Sequence, residues 1–208
     1  MTCTGEQTCA SGSQCFYCCN QFVCMTQRSG RECGTPTFEE LHAVLQRRAR
    51  CSQNPADEVW PNLYLGNASS AMDTDHLQCV GITHVLNAAD YHTGPYYYPC
   101  IPISYFGITA EDAPTYDIGQ HFCEASKFID QALKTPGGKV LVHCCETGLS
   151  RNSTLVLAYL MIYRNRTLME AICLVTKKRY IQPNDGFIQQ LQRLDEQLNH
   201  ERSSSNWH

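Results

Sequence analysis

Lys139-Val140-Leu141-Val142-His143, then Cys144-Cys145-Glu146-Thr147-Gly148-Leu149-Ser150-Arg151, then the apolar run from Asn152 to Tyr163, set the architecture of this 208-residue chain. The first segment is a short run with an apolar centre, Val140-Leu141-Val142, rich in β-branched residues. It reads as a strand buried on both faces. The last segment is apolar nearly all round, as a helix at the centre of a domain must be. Between them lies a small-residue loop carrying two cysteines, a serine and an arginine. A loop at a helix N-terminus aims several backbone N–H groups inward and adds the positive end of the helix dipole. That is a cradle for an anion, and Arg151 adds a planar fork suited to two phosphoryl oxygens. A cysteine held there ionises readily, because helix N-termini and nearby cations bring thiol pKa values down to roughly 3.5–7.5. A nucleophile and a phosphate cradle in one loop imply phosphoryl transfer through a thiophosphate.

The rest of the chain alternates strands and helices around this segment. Thr37-Phe38-Glu39-Glu40 is a capping-box start for a helix with Phe38, Leu41, Val44 and Leu45 on one face and Arg47, Arg48 and Arg50 near its end. Cys51 to Asp57 reads as a connector. A strand is expected over Val59–Leu65, ending at Gly66, then a helix over Asn67–Cys79 and a buried strand over Ile82–Asn87. Tyr96 to Ile108 holds one or two β segments broken by Pro99 and Pro102. Asp117–Leu133 has helical periodicity, and Pro136-Gly137-Gly138 makes the turn into the central strand. Helices over Thr167–Arg179 and Asp185–Leu198 close the domain. The order predicts an α/β fold, a central mixed sheet flanked by helices. Residues 36–200 form that domain, preceded by a Cys-rich disordered tail over 1–35 and followed by a short tail over 201–208.

Composition narrows the function. The formal net charge is −4, which argues against a nucleic-acid binder that works by neutralising phosphates. The longest apolar run, Leu155–Tyr163, has nine residues where about 20 would span a bilayer. The N-terminus has neither a basic start nor an apolar stretch, so the expected address is the cytoplasm, or the nucleus by diffusion. Seven of the 14 cysteines lie between Cys3 and Cys33. Cys15 and Cys18, followed by Cys19 and Cys24, offer metal ligands, but no second knuckle of standard spacing accompanies them; free thiols are the favoured reading. No nucleotide loop or acidic metal cluster is present, so no cofactor is implied.

Several stretches together resemble the atypical dual-specificity protein phosphatases, in particular their small skeletal-muscle and testis members. These are the Cys145-x5-Arg151 loop, Asp57-Glu58-Val59-Trp60-Pro61-Asn62-Leu63-Tyr64-Leu65-Gly66, Gly81-Ile82-Thr83-His84-Val85-Leu86-Asn87-Ala88-Ala89, Thr154-Leu155-Val156-Leu157-Ala158-Tyr159-Leu160-Met161 and Gln182-Pro183-Asn184-Asp185-Gly186-Phe187. The resemblance implies the cysteine-dependent phosphatase fold and hydrolysis of phosphotyrosine and phosphoserine/threonine in phosphorylated protein substrates. It also implies a nucleophilic cysteine, Arg151 on the phosphate, loop contacts from Glu146, Thr147, Gly148, Leu149 and Ser150, and Asp112 as general acid in Glu111-Asp112-Ala113-Pro114.

The loop departs from the family pattern His-Cys-x-x-Gly-x-Ser-Arg by one added residue. Either Cys145 is the nucleophile, Cys144 fills the histidine's place and the cradle keeps its length at the cost of a one-residue shift upstream unless a bulge absorbs it, or Cys144 keeps its place, the strand is left alone and the loop is C-x6-R. Inserting ~3.8 Å of chain into an anion ring spoils contacts that must hold to about 0.5 Å, which favours Cys145. The unused Cys144 then sits beside it as a candidate resolving thiol. The hydroxyl that the family carries after the arginine is Asn152 here, which predicts a slow second step. A weak or inactive phosphatase fold that binds phosphoproteins is the rival function. His84 reads as structural, His143 as ordering the loop, Tyr96-Tyr97-Tyr98 as sheet or rim packing, and Lys177-Lys178-Arg179 as a solvated helix end able to attract acidic phosphopeptides.

Overall fold

The computed structural model describes residues 34–47, 54–91, 98, 101–145 and 147–205. Residues 1–33, with Cys15, Cys18, Cys19 and Cys24, lie outside the described residues, as do Arg48, Arg50, Tyr96 and Tyr97. The unit described below runs from Thr35 onward.

Five strands form one sheet: β1 (Ala56–Trp60), β2 (Leu63–Gly66), β3 (His84–Asn87), β4 (Ser104–Gly107) and β5 (Val140–His143), in the order β1-β2-β5-β3-β4. β1 and β2 are antiparallel, and the other pairs are parallel, so the sheet is mixed as expected. β5 is central because it alone is buried at every position among these strands. Its alternate side chains feed two cores. Val140 and Val142 join Leu63, Leu65 and Leu86 beneath the large helical layer, whereas Leu141 joins Val85 and Tyr64 on the opposite face.

The helices are α1 (Phe38–Arg47), α2 (Ala68–Met72), α3 (Thr74–Val80), α4 (Phe122–Lys134), α5 (Arg151–Tyr163), α6 (Leu168–Thr176) and α7 (Asp185–Ser205). α5 is buried from Arg151 through Met161, and α4, α6 and α7 pack around it. α2 and α3 cover the other face with Ala71 and Leu77. The capping box at α1 is made as read, with the Glu40 carboxylate accepting from the Thr37 N–H at 2.9 Å and the Thr37 hydroxyl oxygen accepting from the Glu40 N–H at 3.3 Å.

Three expected elements divide differently. The single strand over Val59–Leu65 is a hairpin whose turn is Pro61-Asn62; Asn62 has φ 62°, a left-handed conformation that asparagine tolerates. The single helix over Asn67–Cys79 is two, because the Asp73 carboxylate accepts from the His76 N–H at 2.9 Å and starts a new helix. The helix over Asp117–Leu133 begins as a 3-10 turn at Ile118–His121. α7 also continues past Leu198 to Ser205, so the expected terminal tail is helical over 201–205. There Arg202 donates to the carbonyls of Met161 and Arg166 at 3.1 and 3.4 Å, which serves orphan acceptors near the end of α5.

Arg179 is a correction of a different kind. It is no solvated helix end: it is 5% exposed and donates to Asp57 Oδ2 at 2.8 Å and to the Asn54 carbonyl at 2.9 Å. A pair this dry ties the turn after α6 to β1, and it is unavailable to an acidic peptide.

Candidate active site

The carboxyl ends of the parallel strands place the site. β5 keeps its register with both neighbours through His143, which pairs with Gly66 of β2 and Asn87 of β3. The upstream shift or bulge expected with Cys145 in the nucleophile's place is therefore absent: β5 is undisturbed, and the added residue is taken up after it, where Cys144 and Cys145 follow in succession. Gly148, with φ 58°, turns the chain back, and a Cβ there would collide with the Gly66 carbonyl. The Cys145 carbonyl accepts from the Ala68 N–H at 3.2 Å, at the start of α2, and the Leu149 carbonyl accepts from the Gln182 N–H at 2.8 Å. Neighbouring elements thus hold the loop at both ends. Glu146 lies outside the described residues.

The two cysteines differ sharply. Cys144 is 2% exposed and belongs to the core, whereas Cys145 is only partly buried. The neighbouring Cys144 side chain holds the Cys145 thiol down at about 3, against the opposing effect of burial. Thr147, through its hydroxyl and its N–H, and the Gly148 N–H add to that depression. The Thr147 hydroxyl lies 3.4 Å from Cys145 Sγ. The neighbouring Cys145 side chain, together with burial, pushes the Cys144 thiol well up. The backbone N–H of Asn152 and the charge of Arg151 oppose that rise.

Asp112 is joined to the loop from across the site. Ser150 Oγ donates to its Oδ1 at 2.7 Å and Asn184 Nδ2 does so at 2.9 Å, while Arg151 Nε stands 3.7 Å from its Oδ2. Ser150 also accepts from the Asn184 N–H at 3.3 Å. The Arg151 guanidinium is 7% exposed and is fixed by donation to the Ala110 carbonyl at 2.9 Å. Gly186 permits this arrangement, since a Cβ there would run into the Pro114 backbone of the Asp112 loop. The structure thus brings together Asp112, Ser150 and Arg151 from the sequence reading, and adds Asn184, whose motif was visible but whose partner was not. Ser150 reaches Asp112 with its hydroxyl, and Leu149 offers its carbonyl to Gln182.

His143 and His84 keep the structural roles read for them. His84 Nδ1 meets Thr83 Oγ1 at 2.8 Å, and its ring packs edge-on against Phe128. His143 is 3% exposed, with Nδ1 at 3.1 Å from the Cys144 carbonyl, so Nδ1 carries the proton and donates it to the loop backbone. Burial brings its ring down to about 4. Protonation then favours the unfolded chain, where the ring titrates near 6.5. The stabilisation is complete above about pH 6.5 and is lost as pH falls toward 4, at most about 3 kcal/mol. Thermal melts should show the midpoint dropping across that window, with the drop reduced in His143→Asn.

A buried strand, a loop closed by an arginine at the start of a central helix, a depressed thiol and a carboxylate tethered to the loop define the chemistry of a cysteine-dependent phosphatase. The comparisons agree. The family model "Dual specificity phosphatase, catalytic domain" matches residues 63–197. Over 170 residues the chain is 46% identical to human dual specificity protein phosphatase 13B, covering 80% of this chain and 85% of that one. The crystal structure of human DUSP28 matches with a TM-score of 0.64 at 30% identity, over 72% of this chain and 99% of that chain. That of human tyrosine phosphatase-like serine/threonine/tyrosine-interacting protein matches with a TM-score of 0.60 at 34% identity, over 66% and 93%. The chain belongs to the dual-specificity phosphatase family, and it is a protein phosphatase.

Proposed function

We propose that the chain hydrolyses phosphotyrosine and phosphoserine/threonine in phosphorylated proteins, with Cys145 as nucleophile, Arg151 as phosphate ligand and Asp112 as acid and base. The observation that carries this reading is the contrast in exposure of the adjacent thiols: Cys145 is partly exposed, with the Thr147 hydroxyl 3.4 Å from its sulfur, whereas Cys144 is 2% exposed within the core. Cys145 Sγ attacks phosphorus, an S–P bond forms, and the P–O bond to the leaving group breaks. Asp112 gives its proton to the departing oxygen. Two donors occupy its Oδ1, so Oδ2, facing Arg151, is the oxygen left to exchange that proton.

In the second step water attacks phosphorus, Asp112 takes the water's proton, and the thiolate leaves with its electron pair as inorganic phosphate departs. Arg151 and the loop N–H groups carry the charge on the non-bridging oxygens through both steps. Glu146, Thr147, Gly148, Leu149 and Ser150 supply that loop.

The described cysteines at 79, 123, 144, 145 and 173 are free thiols, in keeping with a reducing compartment, the cytoplasm or the nucleus. Among the described residues no helix is long and apolar enough to cross a membrane. The test is phosphate release from an aryl phosphate, a phosphotyrosine peptide and a phosphothreonine peptide under reducing conditions. Repeated turnover on all three is expected. Stoichiometric binding without turnover by folded protein would replace the reading with a phosphoprotein-binding role.

A further inference from the structure

The chain has no lysine or arginine between Arg50 and Lys127, and nine carboxylates in the same stretch. Two parts of that stretch meet beside the phosphate loop. The Asp90 N–H donates to the Ile108 carbonyl at 3.1 Å, and Thr109 Oγ1 donates to the Asp90 carbonyl at 3.3 Å, so the turn after β3 lies against the chain leaving β4. That chain runs straight into the site. The Ala110 carbonyl accepts from Arg151, Glu111 follows, and the Asp112 carboxylate accepts from Ser150 and Asn184. Tyr116 folds the next turn back, its N–H donating to the Ala113 carbonyl at 3.0 Å and its hydroxyl to the Thr109 carbonyl at 3.0 Å, and Asp117 comes next.

The side chains on this flank are of one kind. Glu111 and Asp117 are exposed, Asp90 is half-buried, and none of the three is in an ion pair among the described residues. Tyr91, directly after Asp90, is 45% exposed and offers a ring face of the kind a guanidinium or ammonium packs on. The exposed Lys177 and Lys178 belong to a separate segment, at the end of α6. What the flank borders is an anion site. Arg151 is 7% exposed, and its Nε, 3.7 Å from Asp112 Oδ2, has no hydrogen-bond partner among the described residues. A buried guanidinium with a donor to spare calls for an anion. A phosphoryl group that answers it must approach past like charges, and a cation carried on the same segment offsets that repulsion.

We propose that this flank selects phosphorylated protein segments with a lysine or arginine beside the phosphorylated residue. The phosphate goes to Arg151 and the loop N–H groups, and the neighbouring cation goes to Glu111 and Asp117 across the ring of Tyr91. An acidic neighbour meets repulsion at the same place, so the discrimination has an attractive and a repulsive part. Exposed charge pairs each change affinity by about one- to fivefold, so two of them separate a basic from an acidic neighbour by roughly fivefold or more.

This deepens the phosphatase reading and rests on it, so the experiment separates the two. Fluorescent peptides carrying a non-hydrolysable phosphonate in place of phosphotyrosine, flanked by arginine, alanine or glutamate, are titrated against the full chain and against the double variant Glu111→Gln/Asp117→Asn. Hydrolysis of a small aryl phosphate, which has no flanking residues, is measured beside them. The arginine peptide is expected to bind the full chain at least about fivefold tighter than the glutamate peptide, with the alanine peptide between. That ratio is expected to fall close to one in the double variant, and in about 1 M salt, where charges are screened within ~3 Å. Aryl phosphate turnover by the double variant is expected to match that of the full chain. Equal affinities for the arginine and glutamate peptides, or a ratio that survives in the double variant, would overturn the selection. Absence of aryl phosphate turnover in the folded full chain would instead overturn the phosphatase reading, while the phosphonate peptides still decide the selection.

Discussion

Cys145→Ser is expected to lower turnover by at least about 10⁴-fold while the fold persists. A serine hydroxyl at this position has no base to deprotonate it, and the loop that stabilises a thiolate cannot bring an alkoxide into range at neutral pH. The sulfur is partly exposed at the mouth of the loop, so the exchange removes no core packing comparable to a buried residue. Phosphate affinity should survive, because Arg151 and the loop N–H groups are untouched. The matched control is Cys144→Ser, for which a small loss is expected. Equal losses from both single variants would mean that the thiols act as one unit and that burial does not distinguish them. Phosphate release and vanadate binding, measured side by side on both variants, decide this.

Arg151→Lys is expected to cost about 10³-fold in kcat/KM, with the larger part in kcat. The wild-type guanidinium does two things at once: it donates to the Ala110 carbonyl at 2.9 Å, and it faces Asp112 with Nε at 3.7 Å. Its planar fork retains further donors for the phosphoryl oxygens. A lysine ammonium is a single point charge on a flexible stem, so it cannot reproduce a fixed anchor and a bidentate clamp together. Misplacing a group of this kind by about 1 Å costs on the order of 10² in rate before the lost charge contact is counted. The side chain is 7% exposed, so circular dichroism and a thermal melt belong beside the kinetics. A variant with unchanged kcat would remove Arg151 from the transition state.

Most of the fold is legible in one-dimensional pattern. Val140–Val142 is too apolar to be anything but central, and Leu155–Tyr163 too apolar to be anything but a buried helix. Two of the misread elements turn on local features of single residues. Asp73 splits a helix by capping the next one, and Asn62 closes a hairpin inside an apolar run that otherwise reads as one strand. Periodicity cannot register either event, because each depends on a backbone angle or a cap rather than on which face is apolar.

The site divides the same way. Asp112, Cys145 and Arg151 are visible in the chain as chemistry-bearing residues at family spacing. Asn184 joins Asp112 across 72 positions, and Arg179 leaves an apparently solvated basic run to pair with Asp57 across 122. Those long-range partners exist only once β1, the Asp112 loop and α7 are packed together. The placement of the inserted residue is likewise a matter of register. Nothing in the sequence alone says whether strand or turn absorbs it, and the pairing of His143 with both neighbouring strands assigns it to the turn.

The central claim is that the accessible thiol of the pair forms the covalent intermediate. The direct measurement is acid quenching of the enzyme during turnover of an aryl phosphate, followed by peptide mapping of the trapped phosphocysteine. The account predicts phosphate on Cys145 and none on Cys144; phosphate on Cys144 would contradict it.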